Sequence, residues 1–189
     1  MRRISLGPNP IDKPIAGALA KHGDRRAEKL GNAVTRAGDE KVLLRAAALL
    51  AAAGELSGAR RKRDFDYLLV LLTVTSCLDH LSKHLVKETR PDRMHPFFLK
   101  KGIPKSGARD DAFPSGHALH LGALASCLAR MYPQAAPVIW TAASGVAATR
   151  VLLLAHWFSD VAFGFVGGIV LDKLMSGLAS NRRKSREHT

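Results

Sequence analysis

The chain has little that would staple or stack a fold. Its two cysteines, Cys77 and Cys127, both lie inside apolar runs, where they read as small buried hydrophobes rather than as a disulfide or a metal pair. Only 6% of the residues are aromatic, so the 47% apolar share is carried mostly by Ala, Leu and Val, the vocabulary of helices. No stretch alternates apolar and polar residues with the period of a strand, no unit repeats at a fixed interval, and the one low-complexity patch is Ala-rich, over 46–53. The basic N-terminus "MRRISLGPNPIDKPIAGALAKHGDRR" lacks an apolar core of signal-peptide length, so any route into a membrane is expected to run through internal segments. Acidic residues are scarce as well: 16 Asp and Glu stand against 29 Lys and Arg, a formal charge of +13. That surplus points to an anionic partner, whether nucleic acid, anionic lipid or a phosphorylated substrate, or else to a positive-inside topology.

What is present is a series of apolar segments. They cover 42–54, 67–78 with a mixed continuation to about 86, 118–132, 136–148 and 151–174. A full span needs about 20 apolar residues, which the last segment alone approaches without its flanks. Gly and Ala are dense in these segments, as close helix packing in lipid prefers. The expected fold is all-α, an integral-membrane helical bundle of about four to five spanning helices with an N-terminal amphipathic helix. The domain reading is a basic amphipathic segment over 1–41, a membrane-embedded domain over 42–176 and a basic tail over 177–189. Between 87 and 114 lies a long loop with four prolines and many charges. A loop of that length is usually functional or disordered.

Ionisable residues gather where these segments begin and end. Lys83 and Arg90 stand at the exit of the second, His117 at the entrance of the third, Arg150 at the close of the fourth, and His156 and Asp160 in the opening turns of the fifth. If the helices run back and forth, alternation alone places all of these ends on one face. Three cations match the charge of a phosphate and of its transition state, and Arg adds bidentate hydrogen bonding to phosphate oxygens. On a helix, His156 and Asp160 share a face at i, i+4, so the carboxylate can hold one ring nitrogen protonated and leave the other as nucleophile or base. His117 opens a helix whose free N–H groups favour an anion, and its pKa range suits protonation of a leaving oxygen.

Each feature also has a plain reading. A histidine at a helix start is commonly a cap, a His/Asp pair is often a surface hydrogen bond, and Arg90-Pro91 marks a helix end. Asp79, His80 and His84 have metal-ligand spacing but lack a further ligand in the sequence, and His120 reads as packing within the bundle. Six charged or imidazole groups at matching ends are nonetheless hard to explain as unrelated, since such groups are costly beside apolar spans.

The order Lys83-x6-Arg90-Pro91, Pro114-Ser115-Gly116-His117, Arg150-x5-His156-x3-Asp160 resembles the three-part signature of the type 2 phosphatidic acid phosphatase superfamily. The resemblance covers roughly 65–175 and departs at Thr149, where that family usually has Ser. It implies His156 as the nucleophile of a phosphohistidine intermediate, Asp160 orienting it and His117 as general acid. Lys83, Arg90, Arg150, Ser115 and the Gly116 backbone would hold the phosphate. No metal and no cofactor is implied, because the cations supply the charge a metal ion would bring. Thr149 keeps the hydroxyl, so a tuned site is expected.

Several expectations follow. The substrate is a lipid phosphate or diphosphate of polyprenyl or glycerolipid type, with membrane lipids as surroundings and no nucleic-acid partner, since no aromatic-basic interleaving is present. Basic segments 57–64 and 177–189 place the site at the outer face of a bacterial inner membrane by the positive-inside rule. The other readings are a soluble or peripheral phosphatase of small phosphomonoesters, and a non-catalytic basic protein that binds membranes or nucleic acid. The first 40 residues read as an interfacial helix that guides a lipid, so removing 1–38 is expected to impair lipid hydrolysis more than hydrolysis of a small ester.

Overall fold

In the computed structural model, residues 3–22, 25–56, 58–94 and 107–187 are described. The middle of the long proline-rich loop, 95–106, and the extreme ends lie outside them. Among the described residues seven α-helices follow one another: α1 Asp12–His22, α2 Arg25–Thr35, α3 Glu40–Gly54, α4 Ala59–Leu85, α5 Gly116–Met131, α6 Ala136–Leu152 and α7 Phe158–Glu187. Two short strands, β1 Ile4–Ser5 and β2 Val86–Lys87, pair in parallel. The strands are an addition to the all-α expectation, and at two residues each they are too short to leave an alternating pattern.

Local chemistry sets the helix ends. Asp39 starts α3 by accepting from the backbone N–H groups of Lys41 at 2.9 Å and Val42 at 3.4 Å. Pro137 sits in the first turn of α6, where its missing N–H is harmless. The apolar run 151–174 is not one helix. It breaks after Leu152 because Leu154 takes a left-handed backbone, φ 53°, and the N–H groups of Ala155 and His156 turn back onto the Arg150 carbonyl. Leu154 is buried with Trp157, Ala16 and Ala112, and that packing holds a conformation a leucine otherwise avoids.

The centre of the bundle is α5, buried on most of its surface and packed chiefly on α7. Gly122 and Gly168 allow that approach: a Cβ on Gly122 would lie 2.0 Å from the Phe165 carbonyl oxygen, and one on Gly168 would lie 2.1 Å from that of Leu119. Around this pair, α3 packs on α4, α6 on α5 and the amphipathic α2 on α6. Among the described residues, three helices are long and apolar enough to cross a membrane, Ala59–Leu85, Pro133–Leu152 and Phe158–Ser180. Large apolar side chains, among them Val70, Val138, Phe163, Val166 and Leu174, are exposed on their outward faces. The expected spans at 42–54 and 118–132 are helices of 15 and 16 residues, about 23 and 24 Å long. Cys127 is buried as expected, whereas Cys77 is exposed on α4.

At one end of the bundle a buried carboxylate ties three helices together. Asp172 of α7 accepts from Tyr67 Oη of α4 at 2.8 Å, and from Ser126 Oγ and Arg130 Nη2 of α5 at 2.7 and 2.9 Å. All its oxygens are matched by donors, which is the condition for burying a charge. The opposite end holds the candidate site.

Candidate active site

The C-terminal ends of α4 and α6 and the N-terminal end of α5 meet at one face, as helix alternation requires. A cavity of about 270 Å³ opens there, lined by Lys83, Arg90, Gly116, His117, Arg150 and His156. Ser115 and Asp160, the two remaining candidates, are fully buried behind its wall. The sequence-derived set is therefore brought together in space.

His156 precedes α7 rather than lying in it; Trp157 intervenes, and Asp160 sits in the helix's first turn. The ring Nδ1 donates to the Ala112 carbonyl at 2.6 Å, and Asp160 Oδ2 is 3.8 Å away. The expected direct clasp by Asp160 is thus replaced by a backbone carbonyl, with Asp160 as the next neighbour. With its proton on Nδ1, the ring has its lone pair on Nε2, and Arg90 Nη1 donates to that nitrogen at 3.1 Å. Burial, with Arg90 and Arg150 beside it, holds the imidazole well below its usual pKa, so His156 is kept neutral. A neutral, oriented Nε2 is what a nucleophile requires.

The cations are not equally free. Lys83 Nζ is 2.6 Å from Asp79 Oδ2, and Arg90 Nε is 2.8 Å from Asp111 Oδ1. Arg90 also donates to the carbonyls of Ala108 and Ala155, which locks its plane against His156. Arg150 donates to Thr35 Oγ1 at 3.3 Å, and its Nε has no hydrogen-bond partner among the described residues. Ser115 stands at the N-cap of α5 without capping it, and its buried Oγ is likewise unpartnered among the described residues. An unengaged hydroxyl, an unengaged guanidinium N–H and an open helix start favour an anion's oxygens.

An acidic wall faces these cations, and only its member Asp79 stood out in the sequence, as a possible metal ligand. Asp39, Glu40, Asp79 and Asp111 line the same cavity and balance its cations. Asp79 lies so close to α5 that a Cβ on Gly116 would meet its carboxylate oxygens at 2.6 and 2.8 Å, so Gly116 is required for this approach. As a set, four carboxylates scattered over loops and helices carry no spacing signal, and only folding gathers them. Thr149, the departure from the family pattern, donates its hydroxyl to the Val146 carbonyl at 2.6 Å. The hydroxyl is thus spent within α6. His120 bonds Ser76 and the Gly116 carbonyl inside the bundle, as its position implied.

Glu40 joins Asp79 and His80 within 4.8 Å, a further ligand that spacing in the sequence did not identify. His84 instead bonds the His80 carbonyl. Asp79 is already held by Lys83, and His80 Nδ1 by the Ser76 carbonyl, so these side chains are engaged in helix contacts.

A family model described as PAP2 superfamily matches residues 66–184. The chain is similar to a lipid A 1-phosphatase of Rhizobium etli, with 30% identity over 178 residues, 87% of this chain and 75% of that protein. It is also similar to a decaprenylphosphoryl-5-phosphoribose phosphatase of Mycobacterium tuberculosis, with 29% identity over 139 residues, 74% and 75% of the two chains. Its shape matches the crystal structure of a transmembrane PAP2-type phosphatidylglycerolphosphate phosphatase from Bacillus subtilis, TM-score 0.72 at 21% identity, covering 90% of this chain and 85% of that one.

Proposed function

The chain belongs to the PAP2 superfamily, and from that premise we propose that it is a membrane phosphatase that hydrolyses a lipid phosphate or diphosphate through a phosphohistidine on His156. The observation that carries this reading is the neutral His156, its Nε2 lone pair facing Arg90 in a cavity that Lys83, Arg150 and His117 also line. The apolar outer faces of the long helices support a lipid-embedded bundle, and in this reading the cavity at its end takes the headgroup phosphate.

In the first step Nε2 attacks phosphorus, the N–P bond forms and the P–O bond breaks. Burial, with Arg150 beside it, lowers the pKa of the free His117 ring to about 3, so His117 takes up its proton only with the phosphate anion in the cavity and passes it to the departing oxygen. The phosphate oxygens are held by Arg150, Ser115 Oγ and the first N–H groups of α5, with Lys83 and Arg90 sharing their charge between carboxylate and phosphate. In the second step water attacks the phosphohistidine, His117 takes back a proton, and phosphate leaves with His156 restored. This scheme assigns the charge-stabilising roles to side chains and to the backbone N–H groups at the start of α5.

The basic stretch over 58–63 leads α4 at the end remote from the site, and the chain after α7 leaves at that same end. By the positive-inside rule this end is cytoplasmic, and the site faces outward from a bacterial inner membrane. The decisive experiment assays phosphate release from a panel of lipid phosphates and diphosphates by the purified protein, followed by acid-quench and base-quench trapping of phosphoenzyme. Release with a base-stable, acid-labile phosphoenzyme supports the reading; turnover without any such species refutes the histidine intermediate.

A further inference from the structure

Thr35 ends α2, outside the residues 66–184 that carry the family match, yet it is buried and bonded to a member of the candidate site. We propose that Thr35 is a positioning residue for Arg150: its hydroxyl oxygen accepts from Nη1 and so aims the rest of the guanidinium at the anion-binding cavity without drawing on its charge. The proposal rests on that cavity being the phosphate site.

The Thr35 hydroxyl is available because it caps nothing. A threonine at a helix junction ordinarily spends its hydroxyl on a nearby backbone N–H. Thr35 instead precedes the short 3₁₀ turn Arg36–Gly38 in a right-handed helical conformation, and its side chain makes no cap hydrogen bond. Its Oγ1 accepts from Arg150 Nη1 at 3.3 Å, 115 residues further along the chain. The segment is seated on both sides of that contact. Gly31, one turn earlier on the same face of α2, lies against Leu153, where an added Cβ would be 3.4 Å from Cδ2. Gly38, just beyond, lies against α5, where a Cβ would be 3.0 Å from Leu121 and 3.3 Å from the His117 ring.

A neutral partner sets Arg150 apart from the other two cations. Lys83 pairs with Asp79 at 2.6 Å and Arg90 with Asp111 at 2.8 Å, so each shares its charge with a carboxylate. Arg150 also lines the cavity, but among the described residues it forms no ion pair, and Thr35 is its one side-chain hydrogen-bond partner there. Its Nε stays buried and unpartnered among them. A hydroxyl oxygen fixes the plane of the guanidinium and leaves the full positive charge to an incoming anion. An arginine that is not held in this way must be ordered by the ligand, at a cost in affinity.

The test uses the full chain in detergent and compares the parent with Thr35→Val and Thr35→Ser, below the melting transition of each. Binding of inorganic phosphate is read by calorimetry, and hydrolysis of a small soluble phosphate ester is followed in parallel. Thr35→Val keeps the shape but loses the hydroxyl, so it is expected to weaken phosphate binding roughly 10-fold, the worth of one hydrogen bond to a charged group, and to lower kcat/KM by a similar factor. Thr35→Ser retains the hydroxyl and is expected to stay within about threefold of the parent for both, less than the loss of that bond. Unchanged phosphate affinity in Thr35→Val, an equal loss in Thr35→Ser, or a parent that binds no phosphate overturns the proposal. Binding is read without turnover, so it decides the role of Thr35 even where no ester is hydrolysed, an outcome that would instead refute the phosphatase reading.

Discussion

Asp12, at the start of α1, caps the N-terminus of α7 from 147 residues away: its Oδ1 accepts from Ser159 N at 2.9 Å and its Oδ2 from Ser159 Oγ at 2.6 Å. Asp160 completes the same cap from within α7 by accepting from Trp157 N–H. The N-terminal helix is thereby bonded to the turn that presents His156. Replacing Asp12 by Ala is expected to lower stability by about 1–2 kcal/mol, the worth of a strong cap. Thermal unfolding in detergent measures it.

The same contacts change what truncation should do. From sequence alone, loss of residues 1–38 is expected to affect lipid substrates selectively. In the structure, however, Thr35 holds Arg150, β1 pairs with β2 next to Glu88, and Asp12 caps α7. Truncation is therefore expected to reduce hydrolysis of a small ester and of a lipid phosphate alike, which parallel assays of the two substrates check.

Replacing His156 by Ala removes the attacking nitrogen while leaving the bundle contacts of α5 and α7 intact. Turnover is expected to fall by at least about 10³-fold, as for loss of a covalent nucleophile, with an unchanged helical circular dichroism spectrum. Phosphate release at substrate saturation is the measurement, and near-normal release would move the nucleophile elsewhere.

His156 also gives a pH signature. Its folded pKa lies well below the ordinary value, so on unfolding in mild acid it takes up a proton that the folded state excludes. The stability this confers is fully present above the unfolded pKa of about 6.5 and is lost as pH falls through the depressed folded value. Between those limits the melting temperature of the parent is expected to fall with acidity more steeply than that of His156→Asn, which does not titrate. Parallel slopes would show that the ring titrates normally.

Gly122 is where α5 and α7 touch backbone to backbone. An alanine there places a Cβ 2.0 Å from the Phe165 carbonyl oxygen, which forces the helices apart. A loss of about 1–3 kcal/mol is expected from such overpacking. Because α5 carries His117 and α7 carries Asp160, activity should fall together with the melting temperature. Gly145, whose Cβ would meet nothing within 4 Å, is the matched control, and alanine there should be tolerated.

The sequence was most legible where chemistry sits at fixed positions along the chain. Apolar segments of helical composition, broken by charged ends, determined the all-α bundle, and alternation of direction determined that Lys83, Arg90, His117, Arg150 and His156 share one face. Those conclusions need only the geometry of successive helices. The break at 153–157 was hidden because Leu153 and Leu154 continue an apolar run, and a left-handed leucine is set by its packing with Trp157 rather than by its own preference. Thr149 kept its hydroxyl in the sequence but spends it on its own helix.

Only the tertiary structure decided the partners. The Ala112 carbonyl on His156, Asp79 on Lys83, Asp111 on Arg90, Thr35 on Arg150 and Asp12 on α7 are contacts between segments far apart in the chain or between groups whose spacing is unremarkable. A sequence records which side chains are present and at what interval. Which carboxylate neutralises which cation, and which nitrogen of His156 carries the proton, follow from distances and burial that exist only once α5, α6 and α7 have packed.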